Sequence, residues 1–209
     1  MDKKEMVRIG YNEAAEILNK IVGIDRKEEK EQVKLLLEFS SRIPSNGRIL
    51  DVGCGNGAYS RILSKNFEVI GIDISEKQIE IAKQNAPKAK FICQDMTKVI
   101  FPDEYFDGIM AFYSIIHIPR EEHKEVLRNF YRMLKINGIA LCAFGRMDNP
   151  ESYNGDFFKT GSKMFWSGFD QETNLKIIQD VGFKINWSKL VQESSKWGDN
   201  YHLFVMAEK

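Results

Sequence analysis

Asp51, Asp73 and Asp95 recur at regular intervals, each at or just past the end of a short apolar run: ILDV, VIGID and FICQD. Between the first two lies GCGNGA, with glycines at 53, 55 and 57. Carboxylates aligned beside a glycine-rich turn can do two kinds of chemistry. They attract a cation, and they accept hydrogen bonds from hydroxyl or amino groups. They do not welcome a phosphate, which would meet the negative charge of Asp51 at the turn.

That distinction matters because Gly53-x-Gly55-x-x-Ala58 formally satisfies the dinucleotide fingerprint, with an acid about 20 residues further on. A pyrophosphate-binding oxidoreductase is therefore one reading of the turn. A nucleoside carrying a sulfonium and an α-ammonium fits the charges better. Asp51 would face the ammonium, Asp73 a ribose diol and Asp95 an adenine amino group. An aspartate that ends a strand can also simply cap the next turn; three at equivalent places beside a glycine loop point to a ligand.

Further candidates lie downstream. His117 and Tyr113 follow the run FDGIMAF, where an acceptor would approach, and His117 is the candidate general base. Tyr153, Phe165 and Trp166 fall in a polar and aromatic stretch, 145–169, expected to be a substrate-binding loop or lid. His123 sits in the charged segment REEHKEV and is expected in solvent, whereas His202 alternates along the last apolar run as a structural residue. The histidines are too scattered for a metal cluster, so no metal is expected. Cys54, Cys93 and Cys142 have no C-x-x-C spacing and read as reduced, mostly buried thiols.

The elements that must position these residues alternate. Apolar residues at helical spacing predict helices over 11–22 and 26–42. Strands are expected at 48–53, 68–73, 89–93, 106–112 and 138–144, and helices at 57–66, 75–86 and 120–134. Ser75 and Gln78 form a capping box for the second of these helices, and Asn137-Gly138 is expected as a turn. A helix over 170–181 ending at Gly182 precedes strands 183–191 and 200–208, which are too close for a helical crossover and so pair antiparallel. Alternating β and α units imply a mostly parallel sheet with helices on both faces.

Composition narrows the function classes. The chain has 209 residues, 43% hydrophobic, with 30 basic and 30 acidic side chains. Zero net charge offers no general attraction to nucleic acid. No apolar run reaches the length of a membrane span, and MDKKEMVRIG lacks a secretory apolar core, so a cytoplasmic protein with a small-molecule substrate is expected. Nothing in the sequence reads out an oligomeric state.

In order, ILDVGCGNGAYS, VIGIDIS, FICQDM, FDGIMAFYSIIHI and FYRMLKINGIALCAF resemble the motifs of class I S-adenosylmethionine-dependent methyltransferases of the small-molecule type. The resemblance implies an α/β fold, a Rossmann-like three-layer sandwich with a mostly parallel seven-stranded sheet and an antiparallel C-terminal strand. It implies one methyltransferase domain: a helical cap over 1–46, a cofactor-binding core over 47–144, the lid over 145–169, and a C-terminal helix and strand pair over 170–209. S-adenosyl-L-methionine would be the cofactor and S-adenosyl-L-homocysteine the product. Asp51, Gly53, Cys54 and Gly55 would bind the methionine part, Asp73 the ribose, and Asp95, Met96 and Ile74 the adenine. Ala111 and Phe112 would offer backbone carbonyls to the ammonium, and Tyr11, in an entry helix like that of many members, would cover the cofactor. An RNA or protein acceptor, or a non-catalytic adenosylmethionine-binding domain, remains compatible with the same motifs.

Overall fold

The protein is described here by a computed structural model over residues 1–22, 30–192 and 200–209. Two helices open it, α1 (Lys3–Val22) and α2 (Lys30–Ser41). There follow β1 (Arg48–Val52), α3 (Ala58–Leu63), β2 (Glu68–Asp73), α4 (Glu76–Asn85), β3 (Lys90–Cys93), β4 (Phe106–Ala111), α5 (Arg120–Met133) and β5 (Leu134–Phe144). The chain continues through β6 (Asn149–Asn154), β7 (Met164–Gly168), α6 (Gln171–Val181), β8 (Lys184–Gln192) and β9 (Tyr201–Glu208).

Seven strands form one sheet in the order β3-β2-β1-β4-β5-β9-β8. β1 pairs in parallel with β2 and β4, and β4 with β5. β9 pairs antiparallel with both β5 and β8, so it alone runs against its neighbours in this sheet. This is the expected Rossmann-like arrangement, and the strand order reverses between β1 and β4. A ligand crevice opens at such a reversal, beyond the carboxyl ends of the parallel strands.

The central strands are apolar on both faces because helices cover both. Leu50, Val52, Ile109 and Ala111 face a core completed by Val126, Leu127 and Phe130 of α5 and Ile178 of α6. Ile49, Met110 and Leu141 point the other way, onto Leu36 and Phe39 of α2 and Tyr59 and Leu63 of α3. Helix ends follow local chemistry. The Ser75 hydroxyl accepts from the Gln78 N–H at 3.1 Å, and Gly182 closes α6 in the left-handed region at φ 118.

Several boundaries differ from expectation. α1 begins eight residues before the expected start at 11, because MDKKEMVRIG supplies Met6 and Val7 to a third core rather than a tail. Residues 26–29 of the expected second helix lie outside the described residues. β5 begins directly after α5, and Asn137, at φ 64, is taken up where the β4–β5 register shifts, so no separate turn forms there. The stretch 145–169 is not an irregular loop. It contains an antiparallel hairpin, Tyr153 opposite Phe165 and Ser152 opposite Trp166. α1 packs on this hairpin through Met6, Val7, Ala14, Phe157, Met164 and Phe165.

Candidate functional site

The carboxyl ends of β1 to β5 open on a cavity of about 810 Å³, roofed by α1 and the β6–β7 hairpin. Its two ends are sorted by the strand order. The ends of β1, β2 and β3 contribute the glycine turn and the three aspartates. The ends of β4 and β5 contribute Phe112 to Ile118 and Gly145 to Asn149. β9 runs backwards, so its first residues, Tyr201 and His202, join the same rim.

At the first end, Gly53, Gly55 and Gly57 all have positive φ, and Gly53 presses its α-carbon against Ser114: a Cβ there would lie 2.2 Å from the Ser114 Cβ. Above Gly55 the space is open, with nothing nearer a built Cβ than Gln78 Oε1 at 4.0 Å. Asp51 is buried and accepts from the Ser60 hydroxyl at 2.6 Å. Asp73 accepts from the Gly55 and Ser75 N–H groups, each at 2.9 Å, which ties the turn to the end of β2. Burial pushes the Asp73 carboxyl up to about 6, against the opposing pull of those N–H donors. Asp95 accepts from the backbone and hydroxyl of Thr97 and pairs with Lys4 at 3.4 Å. Cys54 lines the wall as a thiol, since burial and the neighbouring Asp51 and Asp73 push it well above the ordinary range.

Gln78 shows what the expected capping box became. Asp73 has taken the Ser75 N–H that the glutamine would otherwise bind, so only half of the box forms. The Gln78 side chain lines the cavity instead, 2% exposed, and its Oε1 has no hydrogen-bond partner among the described residues. An orphaned buried acceptor beside an open glycine cradle and a carboxylate is what a hydroxyl- and amine-bearing nucleoside would complete. The residues present therefore fit an adenosyl group.

At the second end, His117 is buried, and its Nδ1 lies 2.9 Å from the Phe165 carbonyl. A carbonyl only accepts, so Nδ1 carries the hydrogen and Nε2 receives the Tyr11 hydroxyl at 2.8 Å. Burial holds the imidazole down at about 4. Tyr113 sits in the left-handed region at φ 56, strain that places its ring edge-on to His202, 4.8 Å between centroids. Gln32 of α2 donates to the Tyr113 hydroxyl at 2.8 Å.

Of the residues singled out in the sequence, Asp51, Gly53, Cys54, Gly55, Asp73, Ile74, Asp95, Met96, Phe112, Tyr11, Tyr113, His117 and Trp166 line this cavity. Three do not. Ala111 is paired with Cys142 inside the sheet, and the cavity edge falls one residue later. Phe165 turns its ring into the core beneath α1 and offers its carbonyl to His117. Tyr153 lies half exposed against the Phe165 ring, because strand alternation gives the cavity to Ser152. His123 is not in solvent: it is buried, with Nε2 3.2 Å from the Ile118 carbonyl. Cys54 and Cys142 are buried, but Cys93, on the edge strand β3, is exposed. Lys4 and Arg146 also line the cavity and had no motif to announce them, and Gln78 and His202, expected as a helix cap and a structural residue, line it too.

The fold and crevice define the class: a Rossmann-like α/β domain whose turn is flanked by acids rather than prepared for phosphate. The sequence profile of the methyltransferase domain matches residues 49–138. A demethylmenaquinone methyltransferase from Thermotoga maritima is 31% identical over 75% of this chain and 68% of its own length. A 27-O-demethylrifamycin SV methyltransferase from Amycolatopsis mediterranei is 30% identical over 70% of this chain, which spans only 61% of that enzyme. In fold, the magnesium protoporphyrin IX methyltransferase of Synechocystis, solved with bound S-adenosylmethionine, superposes with a TM-score of 0.77 at 20% identity, covering 100% of this chain and 98% of that one. The chain belongs to the class I S-adenosylmethionine-dependent methyltransferases. S-adenosylmethionine is the cofactor of that family. Among the described residues, no helix is long and apolar enough to cross a membrane.

Proposed function

We propose that this chain transfers a methyl group from S-adenosylmethionine to a small-molecule acceptor. The observation that carries the reading is the division of one cavity into an acidic, glycine-floored end and an aromatic end that includes His117 and Trp166. The relatives named above bear names of small-molecule methyltransferases, which supports the same choice of acceptor. When bound, the cofactor would supply an electrophilic methyl group on a positively charged sulfur.

The chain's own residues would then do three things. Asp51, the turn at Gly53 to Gly55, Asp73, Gln78, Asp95, Ile74 and Met96 would hold the adenosyl and amino-acid parts. α1 and the hairpin over 145–169, anchored through Tyr11 and Trp166, would exclude water and align the acceptor, which supplies most of the catalysis in a displacement with a good leaving group. His117 would hold the Tyr11 hydroxyl at the wall of the acceptor end. An imidazole held near 4 is a weak base. This reading therefore favours an acceptor atom that is already deprotonated, or that loses its proton readily, at neutral pH.

Calorimetric titration with S-adenosylmethionine, S-adenosylhomocysteine and NAD, on the wild type and on Asp73→Ala, tests the proposal. Micromolar binding of the first two, lost in the variant, is expected. Binding of NAD alone would refute it.

A further inference from the structure

Among the cations lining the cavity, Lys4 is engaged with Asp95 and Glu122. Nearby basic side chains on the roof and rim are engaged as well: Lys3 with Glu151 and Arg120 with Asp148. Asp148, the acid of the acceptor end, is thereby neutralised. Arg146 differs. It follows β5, is half-buried and lines the cavity, yet no described residue gives its guanidinium an ion pair or a hydrogen bond. Its neighbour is the Tyr201 ring, 6.0 Å away. His202 beside it brings no compensating charge: burial, with His117 and Arg146 near, holds that imidazole neutral at about 4. A partly desolvated guanidinium among aromatic walls has lost water contacts without gaining the planar, paired acceptors for which its fork is built.

We infer that the methyl acceptor carries an anionic oxygen group, a carboxylate or a phosphate, on an apolar body, and that Arg146 is the residue that holds it. The inference rests on the methyl-transfer reading and names its substrate class. Charge placement agrees with it. Asp51, Asp73 and Asp95 gather negative charge at the cofactor end, so an anionic acceptor is repelled there and drawn to the opposite end, where Arg146 and the rings of Tyr113, Trp166 and Tyr201 would receive head and body together.

Calorimetry on the full chain saturated with S-adenosylhomocysteine tests this, using benzoate and phenyl phosphate as anionic probes and benzamide as their neutral counterpart. In the wild type, at least one anion should bind in the millimolar range or better, about tenfold tighter than benzamide, as expected for one charge-assisted contact. Which of the two anions it is distinguishes carboxylate from phosphate. R146Q should lose that preference and R146K should keep part of it, with S-adenosylhomocysteine affinity unchanged in both. Equal binding of benzoate, phenyl phosphate and benzamide, absence of anion binding in that range, or an undiminished preference in R146Q would overturn the inference. If the wild type binds no S-adenosylhomocysteine, the methyl-transfer reading itself fails, a different and separately visible result.

Discussion

If Asp73 holds the ribose as proposed, cofactor affinity depends on pH. Its carboxyl is buried and pushed up to about 6, with Gly55 and Ser75 N–H groups already on its oxygens. A ribose diol donates hydrogen bonds, which favours the ionised acid. At pH 7 about nine-tenths of Asp73 is ionised and at pH 5 about one-tenth, so the competent fraction, and with it the apparent affinity, falls roughly tenfold across that interval. The sign for the stability of the ligand-free protein runs the opposite way. Between the ordinary value of 3.8 and about 6 the folded chain binds the proton more tightly than the unfolded one, so the ligand-free protein loses stability as pH rises through that window. The thermal shift produced by ligand should therefore grow from pH 5 to pH 7. His117, His123 and His202 are each held near 4 and stay neutral throughout. The assay is calorimetric titration with S-adenosylhomocysteine at pH 5, 6 and 7, repeated in buffers of different ionisation enthalpy to count the proton released. Asp73→Asn should bind more weakly and lose the pH dependence. A wild-type affinity that stays within twofold from pH 5 to pH 7, with no proton release, would refute the reasoning.

Gly53→Ala should destabilise the protein by at least about 2 kcal/mol in urea unfolding, because the new Cβ meets Ser114 and the residue stands at φ 71; a change under about 0.5 kcal/mol would mean that the turn relaxes freely. Tyr11→Phe should cost about 1–3 kcal/mol by stripping the hydroxyl from the buried His117 Nε2. The imidazole nitrogen shifts in an NMR spectrum should report the lost hydrogen bond at Nε2 and leave Nδ1 unchanged.

Much of the fold could be read from the sequence because the central strands are short apolar runs closed by glycine or an acid, and the helices between them carry caps such as Ser75 and Gly182. The three aspartates could be read for the same reason: strand ends in a parallel sheet share one rim. What escaped was decided by tertiary contact. The β6 strand, NPESYN, is nearly all polar and outward, so it carries no alternation that would mark it as a strand. His123 looked solvated from its charged neighbours, yet α5 turns that position inward to the Ile118 carbonyl. Gln78 followed a local rule until Asp73 competed for the same N–H, and Arg146 belongs to no motif at all. The contact between Tyr11 and His117 spans 106 positions of sequence, and no local pattern encodes it.

The imidazole of His117 takes its orientation from the carbonyl at position 165, an atom that every amino acid carries. The side chain at 165 answers to the core beneath α1, while the main chain at the same position decides which ring nitrogen of His117 holds the hydrogen. A substitution there that kept the hairpin could exchange the side chain and leave the tautomer as it was. A deletion that slipped the β6–β7 pairing by one residue would move that carbonyl off Nδ1 and turn side chains such as Ser152 away from the cavity. Position 165 is thus a place where comparing residue types among relatives would report on packing and stay silent about proton placement.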